Sequence, residues 1–372
     1  MNRFERIRVQ GFRRLQDLEL KLRPLCVLIG ANGGGKTSLL DVFSLLAASA
    51  SRGLAKKLSE LGGMTSLLTK GKADRISFEL DTRAPTRGRT AYHLTVVPVG
   101  AAHTIEEEYL TEEKFAGDPG RTEYPYVGRG VAPHAMPDPR ETHLSQVPLV
   151  PEQETTELRS RLASSTYYHA LNVEARSPIR LPQPLRPATL PGRDGEDLAA
   201  CLYCMREEHR DQFDAVEEAL RAAFPTFESL GFPAPATGIL AMTWKDSSFP
   251  HPFYMHELSE GMLRFLWLAT LLQSPGLTAV TLLDEPEVSL HPELLHLLTG
   301  LMREASARTQ LIAATHADRL VTFLEPSEVV TFDLDESGMA KATPADELDL
   351  EAWLKEYTLD EVWRMGRMGG RA

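Results

Sequence analysis

Residues 30–37 read Gly-Ala-Asn-Gly-Gly-Gly-Lys-Thr, and the fold predicted for this sequence rests mainly on this stretch. It fits the pattern G-x-x-x-x-G-K-[ST] at every position. Glycines allow positive φ angles, so the backbone N–H groups of such a loop can turn towards phosphate oxygens. The apolar run Leu25 to Ile29 predicts a buried strand before the loop, and an amphipathic helix is expected from Lys36 to about Ala50. The sequence therefore predicts a strand–loop–helix unit that binds a nucleoside triphosphate.

The chemistry of the loop gives its side chains separate roles. Lys36 is placed to reach the β- and γ-phosphates of ATP, and the hydroxyl of Thr37 is a suitable Mg²⁺ ligand. The start of the following helix adds a partial positive charge that favours an anion. The residues predicted to contact the nucleotide here are Gly30, Asn32, Gly33, Gly34, Gly35, Lys36, Thr37 and Ser38.

A second motif places two carboxylates at the end of an apolar strand, in the run Thr281 to Pro286. At the carboxyl end of a strand, Asp284 can hold Mg²⁺, usually through water, and Glu285 can act as general base on the attacking water. A solvated acidic turn is the alternative for such a pair. The phosphate loop elsewhere in the chain favours the catalytic interpretation.

Two further positions complete the predicted site. His316 follows the strand that ends at Thr315, where it can hydrogen-bond the γ-phosphate or the water; a surface histidine is the alternative. Ser259 and Gly261 open an apolar helix, and such a helix start is an anion site unless the serine is a plain N-cap. No second phosphate within one subunit needs this site. Two subunits are therefore expected to present it to each other's nucleotide.

Together these motifs resemble the ABC-type ATPase heads of the RecF/SMC class and, more closely, a family of bacterial stand-alone ATPases. In this resemblance the phosphate loop is Walker A, Leu282 to Glu285 is Walker B, and Ser259 to Gly261 is the signature. Ser289 to Pro292 would be the D-loop and His316 the switch histidine. The stretches that carry the closer resemblance are Gly11-Phe12-Arg13, Glu257 to Gly261, Asp284 to Glu287, Leu290-His291-Pro292, Thr315-His316 and the tail Leu359 to Arg371.

The resemblance implies an α/β P-loop NTPase fold of ABC-ATPase head type, with a mixed sheet, an antiparallel β lobe and a helical signature lobe. Residues 1–145 would form the first part of lobe I, 146–262 the helical lobe, 263–340 the second α/β part and 341–372 a helical tail. One helix is expected from Glu196 to Phe224, within the helical lobe. Residues 117–151 are expected to form an irregular connection because proline and glycine are dense there.

The sequence departs from the family pattern at two places. Glu260 stands where many such heads have glycine, and a carboxylate near a γ-phosphate is unfavourable unless it points away. No glutamine occurs between Gln16 and Gln146, so Gln146 is the candidate for the glutamine that ligands Mg²⁺ in such heads. A loop glutamine without this role is the alternative.

Composition limits the partners. The chain has 372 residues and a formal net charge of −12, which argues against a broad surface that coats nucleic acid. A DNA contact would need a local patch. Arg3, Arg6, Arg8, Arg13 and Arg14 are candidates to contact phosphates of ATP or DNA, and solvated strand faces are the alternative explanation for this cluster. Three cysteines do not form a disulfide framework, so a cytoplasmic location is expected. No uncharged apolar run approaches about 18 residues, so no membrane partner is expected.

The expected function is a Mg²⁺-dependent ATPase that forms a homodimer on ATP. The resemblance implies a switch in DNA maintenance or anti-phage defence, with DNA or a separately encoded nuclease or toxin effector as candidate partners. Two alternatives stay open. The ATPase subunit of a transporter has a similar core, although its signature lies closer to the phosphate loop than Ser259 does here. A nucleotide-gated scaffold with negligible turnover has the same motifs.

Overall fold

The computed structural model describes residues 3–84, 88–113, 121–127, 138–146 and 154–369. Its strands are β1 (Arg3–Phe12), β2 (Leu15–Lys21), β3 (Leu25–Gly30), β4 (Ile76–Ala84), β5 (Gly88–Val99), β6 (Ala102–Glu113), β7 (Arg121–Val127), β8 (Thr166–Tyr168), β9 (Gln183–Pro184), β10 (Phe227–Gly231), β11 (Ile239–Leu240), β12 (Thr243–Asp246), β13 (Phe253–Tyr254), β14 (Val280–Asp284), β15 (Gln310–Ala314), β16 (Val329–Leu334) and β17 (Ala340–Pro344). Its helices are α1 (Lys36–Ser49), α2 (Leu54–Glu60), α3 (Met64–Leu67), α4 (His143–Gln146), α5 (Glu154–Ala163), α6 (Leu198–Glu208), α7 (Arg210–Ala223), α8 (Glu260–Gln273), α9 (Leu295–Ser306), α10 (Asp318–Val321) and α11 (Leu359–Arg364).

The strand before the phosphate loop lies inside a six-stranded mixed sheet with the order β17-β16-β3-β15-β14-β8. Strands β16, β3, β15, β14 and β8 run parallel to one another. Strand β17 pairs with β16 at one edge of the sheet and is antiparallel to it. All six residues of β3 are buried, which explains its unbroken apolar sequence. Because the carboxyl ends of parallel strands meet at one edge, the residues after β3, β15, β14 and β8 come together there.

The N-terminal strands form a second six-stranded sheet, antiparallel throughout, with the order β2-β1-β4-β5-β6-β7. Its apolar face shares one hydrophobic core with α1 and with one face of the mixed sheet. Helix α1 therefore lies between two sheets and is buried almost all round. The sequence predicted an amphipathic helix that buries one face only. The antiparallel sheet covers the side of α1 that was expected to be exposed.

The other face of the mixed sheet is covered by α6, α7, α8 and α9, which share a second hydrophobic core. The prediction of one helix from Glu196 to Phe224 was wrong, because the chain leaves the helical conformation at His209 and restarts as α7. No glycine or proline marks this break in the sequence, so periodicity alone could not reveal it.

Three further segments differ from the predicted organisation. The stretch 117–151 contains β7 and α4 among its described residues, and the tail from Leu348 to Met368 is helical only in α11 and in a 3₁₀ turn at Trp353–Lys355. Strand β8 lies within the segment 146–262 but pairs with β14 in the mixed sheet. The lobe boundaries themselves stay a prediction. Among the described residues, no helix combines the length and hydropathy that a membrane span requires.

Candidate functional site

The phosphate loop leaves a helix start open towards solvent. Gly30 has φ 139°, and a Cβ atom there would overlap the carbonyl oxygen of Phe332 on β16. Gly35 precedes α1 with φ 111° and offers no side chain to cap it, so the first N–H groups of the helix lack a side-chain acceptor. Asn32 and Thr37 are exposed beside them. The loop thus has the geometry of an anion site.

Lys36 joins the loop to the end of another strand. Its side chain is only 4% exposed, and its ammonium donates to the carbonyls of Gly30 and Ala31. The same nitrogen lies 3.4 Å from Nδ1 of His316. Burial lowers the pKa of Lys36 to about 8, although the carboxylates of Glu285 and Asp284 act in the opposite direction. A cation is therefore held near both carboxylates, solvated by two carbonyls of its own loop and by the imidazole of His316.

The two carboxylates occupy the predicted strand end. Asp284 is the last residue of β14, and its Oδ2 accepts a hydrogen bond of 2.9 Å from the hydroxyl of Tyr167. Glu285 follows with φ 50°, a left-handed conformation that is unfavourable for a residue with a side chain. Its amide donates to the carbonyl of Ala314 at 2.8 Å, which ties this turn to β15. Such strain is commonly found at functional sites.

His316 connects the lysine with the general-base candidate. Its Nε2 lies 3.8 Å from Oε1 of Glu285, and its Nδ1 faces the ammonium of Lys36. Because an ammonium can only donate, Nδ1 accepts and Nε2 carries the proton. Burial and the charge of Lys36 lower the pKa of His316, so a neutral imidazole is favoured. The structure thus brings Lys36, Glu285 and His316 together from three separate parts of the sequence.

Glu287 holds the histidine in place. Its Oε1 accepts hydrogen bonds from the hydroxyl of Thr315 at 2.5 Å and from the amide of His316 at 3.2 Å. Its Oε2 is buried without a hydrogen-bond partner among the described residues, and burial raises its pKa. In the sequence Glu287 was only a mark of the family. No pattern shows that its carboxylate reaches a strand 28 residues further along the chain.

The signature residues lie on a different helix start. Ser259 caps α8, and its hydroxyl accepts a hydrogen bond of 3.3 Å from the amide of Met262. A Cβ atom on Gly261 would lie 3.2 Å from the carbonyl of Ser289, so the helix start closely adjoins the predicted D-loop. Glu260 is exposed. Helix α8 packs mainly against α6, α7 and α9, and its Arg264 lines a small cavity with Asp284 and Glu285. Among the described residues, neither Ser259 nor Gly261 hydrogen-bonds to the phosphate loop of the same chain.

Gln146 does not reach the site. Its side-chain amide donates to the carbonyls of Asp138, Glu141 and Thr142, which occupies it within a loop. The hydroxyl of Thr142 in turn bonds the carbonyl of Ser49, at the last turn of α1. Since α1 has 14 residues, its two ends lie about 20 Å apart, and Thr37 is at the other end. The prediction that Gln146 ligands Mg²⁺ therefore finds no support in this arrangement.

The candidate DNA patch is also not available as a free basic surface. Arg6 pairs with Glu79 and Asp81, and Arg8 pairs with Asp17 at 2.9 Å. The remaining arginines of the cluster bond elsewhere, with Arg13 paired to Asp41, Arg3 donating to the carbonyl of Ser306 and Arg14 donating to the carbonyl of Gly338. Three of the five charges are thus compensated by carboxylates of the same chain, whereas Arg3 and Arg14 bond to uncharged carbonyls.

The donors near the carboxylates suit a magnesium ion shared with a nucleotide. Helix α1 packs against β14 and β8, which brings the exposed hydroxyl of Thr37 to the side of the sheet where Asp284 ends its strand. A hydroxyl and a carboxylate are oxygen ligands of the kind that Mg²⁺ prefers. The described residues contain no group of three or more His, Cys, Asp or Glu side chains that could hold a metal ion. A cation that is also bound by phosphates needs fewer protein ligands.

Two protein-family models match separate segments of the chain. The model described as "AAA ATPase domain" matches residues 3–83, which include the phosphate loop. The model described as "AAA domain, putative AbiEii toxin, Type IV TA system" matches residues 186–322, which include Ser259, Glu285 and His316. No curated protein matches the sequence.

Solved structures of SMC heads match nearly the whole chain. A head bound to the C-winged helix domain of ScpA is 14% identical, with a TM-score of 0.59 over 92% of this chain and 97% of that chain. A Pyrococcus furiosus head bound to the C-terminal domain of ScpA is 13% identical, with a TM-score of 0.57 over 95% and 98%. A Pyrococcus yayanosii head with a coiled coil and joint is 12% identical, with a TM-score of 0.53 over 98% and 100%. Such identities show the fold alone. The chain therefore shares the ABC-type fold of these SMC heads, and two of its segments match models of AAA-type ATPase domains.

Proposed function

We propose that this protein is a Mg²⁺-dependent ATPase that works as a homodimer closed by ATP. The observation that carries the proposal is the cluster of Lys36, His316 and Glu285 beside the open start of α1. A buried cation, a neutral imidazole and a carboxylate at the edge of one sheet are the groups that phosphoryl transfer to water requires.

Each residue has a role that follows from its position. On nucleotide binding, Lys36 exchanges the carbonyls of Gly30 and Ala31 for phosphate oxygens, which solvate its charge better. Thr37 and Asp284 would hold Mg²⁺, which would neutralise negative charge on the phosphates. Glu285 accepts the proton of the attacking water as general base. The Nε2–H group of His316 can orient that carboxylate or donate to the γ-phosphate.

The dimer follows from the second helix start. Ser259 and Gly261 form an anion site that lies apart from the phosphate loop of their own chain. In a two-fold symmetric pair, this helix start of each copy faces the phosphate loop of the other. ATP then contacts both subunits, and its hydrolysis removes the group that holds them together. The exposed Glu260 must turn away from the γ-phosphate for this contact to form.

The pathway is proposed from the comparisons. One matching family model is described by a putative toxin of a toxin–antitoxin system, and two of the similar heads are bound to domains of a partner protein. Because three of the five candidate arginines, Arg6, Arg8 and Arg13, pair with carboxylates of the same chain, we favour a separately encoded protein effector over direct DNA binding. Defence against phage and DNA maintenance both accommodate such a switch.

The test is the substitution Glu285→Gln, which removes the general base and keeps the shape of the side chain. We expect phosphate release to fall by about 100-fold or more. With ATP the variant should form a long-lived dimer in size-exclusion chromatography with light scattering. A nucleotide-gated scaffold would instead show negligible phosphate release already in the unmodified protein.

Two controls isolate the effect. Glu218→Gln makes the same change at an exposed position of α7 and should leave both readouts unchanged. Lys36→Ala combined with Glu285→Gln should remain monomeric, because ATP no longer binds. A Glu285→Gln protein that stays monomeric at saturating ATP would refute the dimer.

A further inference from the structure

We propose that His169 is a protein ligand of the divalent cation that accompanies ATP, and that it gives the site a nitrogen donor. The inference deepens the proposed ATPase function and rests on it. In this proposal, His169 has the role of metal ligand that the sequence analysis gave to Gln146. The proposal also predicts which metal ions the site prefers.

Strand pairing puts this histidine at the metal side of the site. Strands β8 and β14 are parallel neighbours, with Tyr168 opposite Leu283. The next residue of each strand is His169 on one side and Asp284 on the other. Both therefore leave the sheet side by side, at the edge where the phosphate loop also ends.

The imidazole faces the carboxylate without bonding it. Nδ1 of His169 lies 3.8 Å from Oδ2 of Asp284, which is too long for a hydrogen bond. Tyr167 supports both groups, because its ring packs on the imidazole with centroids 4.2 Å apart and its hydroxyl donates to the same Oδ2. A carboxylate oxygen that accepts one hydrogen bond keeps a further lone pair. His169, Asp284 and Glu285 line one small cavity, to which Arg264 of α8 also contributes.

The start of α1 approaches from the other side. Helix α1 packs against β8, and Asp41 is among the charges that act on the hydroxyl of Tyr167. Thr37 lies one turn before Asp41 on the same face of the helix, since residues four apart are neighbours. We therefore expect the hydroxyl of Thr37, from α1, and the imidazole of His169, after β8, to reach the same cation as Asp284. The side chain of His169 is 69% exposed, which leaves it accessible to a nucleotide-bound cation.

The nitrogen donor has a consequence for metal choice. Mg²⁺ is a hard cation that takes oxygen ligands, and imidazole suits first-row transition metal ions better. A site that combines His169 with oxygen donors should therefore favour Mn²⁺ or Co²⁺, relative to Mg²⁺, more than an all-oxygen site does. Replacing His169 by glutamine supplies an oxygen in its place and should shift the preference towards Mg²⁺.

Pulsed electron paramagnetic resonance on the complex with Mn²⁺ and a non-hydrolysable ATP analogue tests direct ligation. We expect a nitrogen coupling typical of a coordinated imidazole, which His169→Gln abolishes. His251→Gln, at an exposed histidine before β13, should retain it, and so should His316→Gln. If the coupling is absent, or survives in His169→Gln, the proposal is overturned.

Calorimetry supplies a readout that is independent of spectroscopy and of turnover. The ratio of the affinities for the Mn²⁺ and Mg²⁺ complexes of the analogue should fall about 10-fold in His169→Gln and stay unchanged in His251→Gln. Comparing variants cancels the intrinsic preference of ATP for one metal. An equal ratio in all proteins contradicts a ligand role for His169. If neither complex binds the unmodified protein, the ATPase proposal itself fails. If both complexes bind but the ratio does not change in His169→Gln, only the ligand role of His169 fails.

Discussion

Helices α1 and α8 have the same length, 14 residues, but their N-terminal ends differ in how they are capped and in which charged side chains lie beside them. Helix α1 follows a buried strand, begins after a glycine without a capping side chain, and has Lys36, Glu285 and His316 beside it. Helix α8 is capped by its own Ser259, and its start adjoins the predicted D-loop at Ser289. In the proposed dimer, the first helix start holds the nucleotide of its own chain and the second contacts the nucleotide of the partner.

Because of this difference, we expect substitutions to separate the binding and hydrolysis of ATP by one chain from the contact between two chains. Changes at α1 should act on one chain alone, whereas changes at α8 should act only when two chains meet. Glu287 belongs to the first group, because it bonds the backbone of His316.

The largest expected effect is the loss of ATP binding in Lys36→Ala. Hydrogen bonds to charged groups contribute about 1.5–3 kcal/mol each, so we expect the affinity of the monomer for ATP to fall about 100-fold or more. Ser259→Ala should leave the monomer's affinity within about two-fold, since the signature contacts ATP only in the dimer. Isothermal titration calorimetry measures both. Equal affinity in Lys36→Ala and the unmodified protein would remove Lys36 from its role.

The next effect concerns the second helix start. Ser259→Arg places a bulky side chain where the opposing nucleotide must approach, so the ATP-bound dimer should not form in the Glu285→Gln background. ATP binding to the monomer should persist, because α1 is unchanged. Light scattering and calorimetry on the same samples separate the two outcomes. A normal dimer in this double variant would exclude the proposed contact.

A smaller effect is expected at Glu287. In Glu287→Ala the hydroxyl of Thr315 and the amide of His316 lose their acceptor, so kcat should fall about 10-fold while KM changes little. Glu287→Gln keeps an acceptor oxygen and should retain most of the turnover. Steady-state phosphate release gives both constants. If the alanine variant raised KM alone, Glu287 would act on binding and not on the position of His316.

The smallest effect is a proton taken up on binding. In the nucleotide-free protein the pKa of Lys36 is lowered to about 8, so part of the population is neutral at about pH 8.5. The phosphates favour the charged form and raise this pKa, hence ATP binding should take up a fraction of a proton there and less at pH 7. Calorimetry in buffers with different ionisation enthalpies measures the uptake. Buffer-independent heats at pH 8.5 would contradict the lowered pKa.

The sequence could predict much of the phosphate-loop side of the molecule because that chemistry is local. The loop, β3 and the start of α1 are consecutive in the chain, and the carboxylates follow an apolar strand that periodicity reveals. The roles of Glu287 and His169 could not be predicted in this way. Both depend on which strands are neighbours in the mixed sheet, and strand order is set by long-range packing rather than by local pattern.

The same reason explains why the structure gives no support to Gln146 as a Mg²⁺ ligand. Gln146 was chosen by residue type and chain order, but the hydrogen bond between Thr142 and Ser49 fixes its segment at the far end of α1. Likewise, charge counting could not show that Arg6 and Arg8 face acidic residues on the two adjacent strands, β4 and β2.

The most direct test of an active site that is shared between two subunits is a mixture of two inactive variants. Lys36→Ala lacks a working phosphate loop, and Ser259→Arg lacks a working contact to the partner's nucleotide, so each protein alone should release almost no phosphate. In an equal mixture, heterodimers contain one intact composite site, and turnover should return to at most about a quarter of that of the unmodified protein. A mixture that releases no more phosphate than the two variants measured separately would contradict a site shared between subunits.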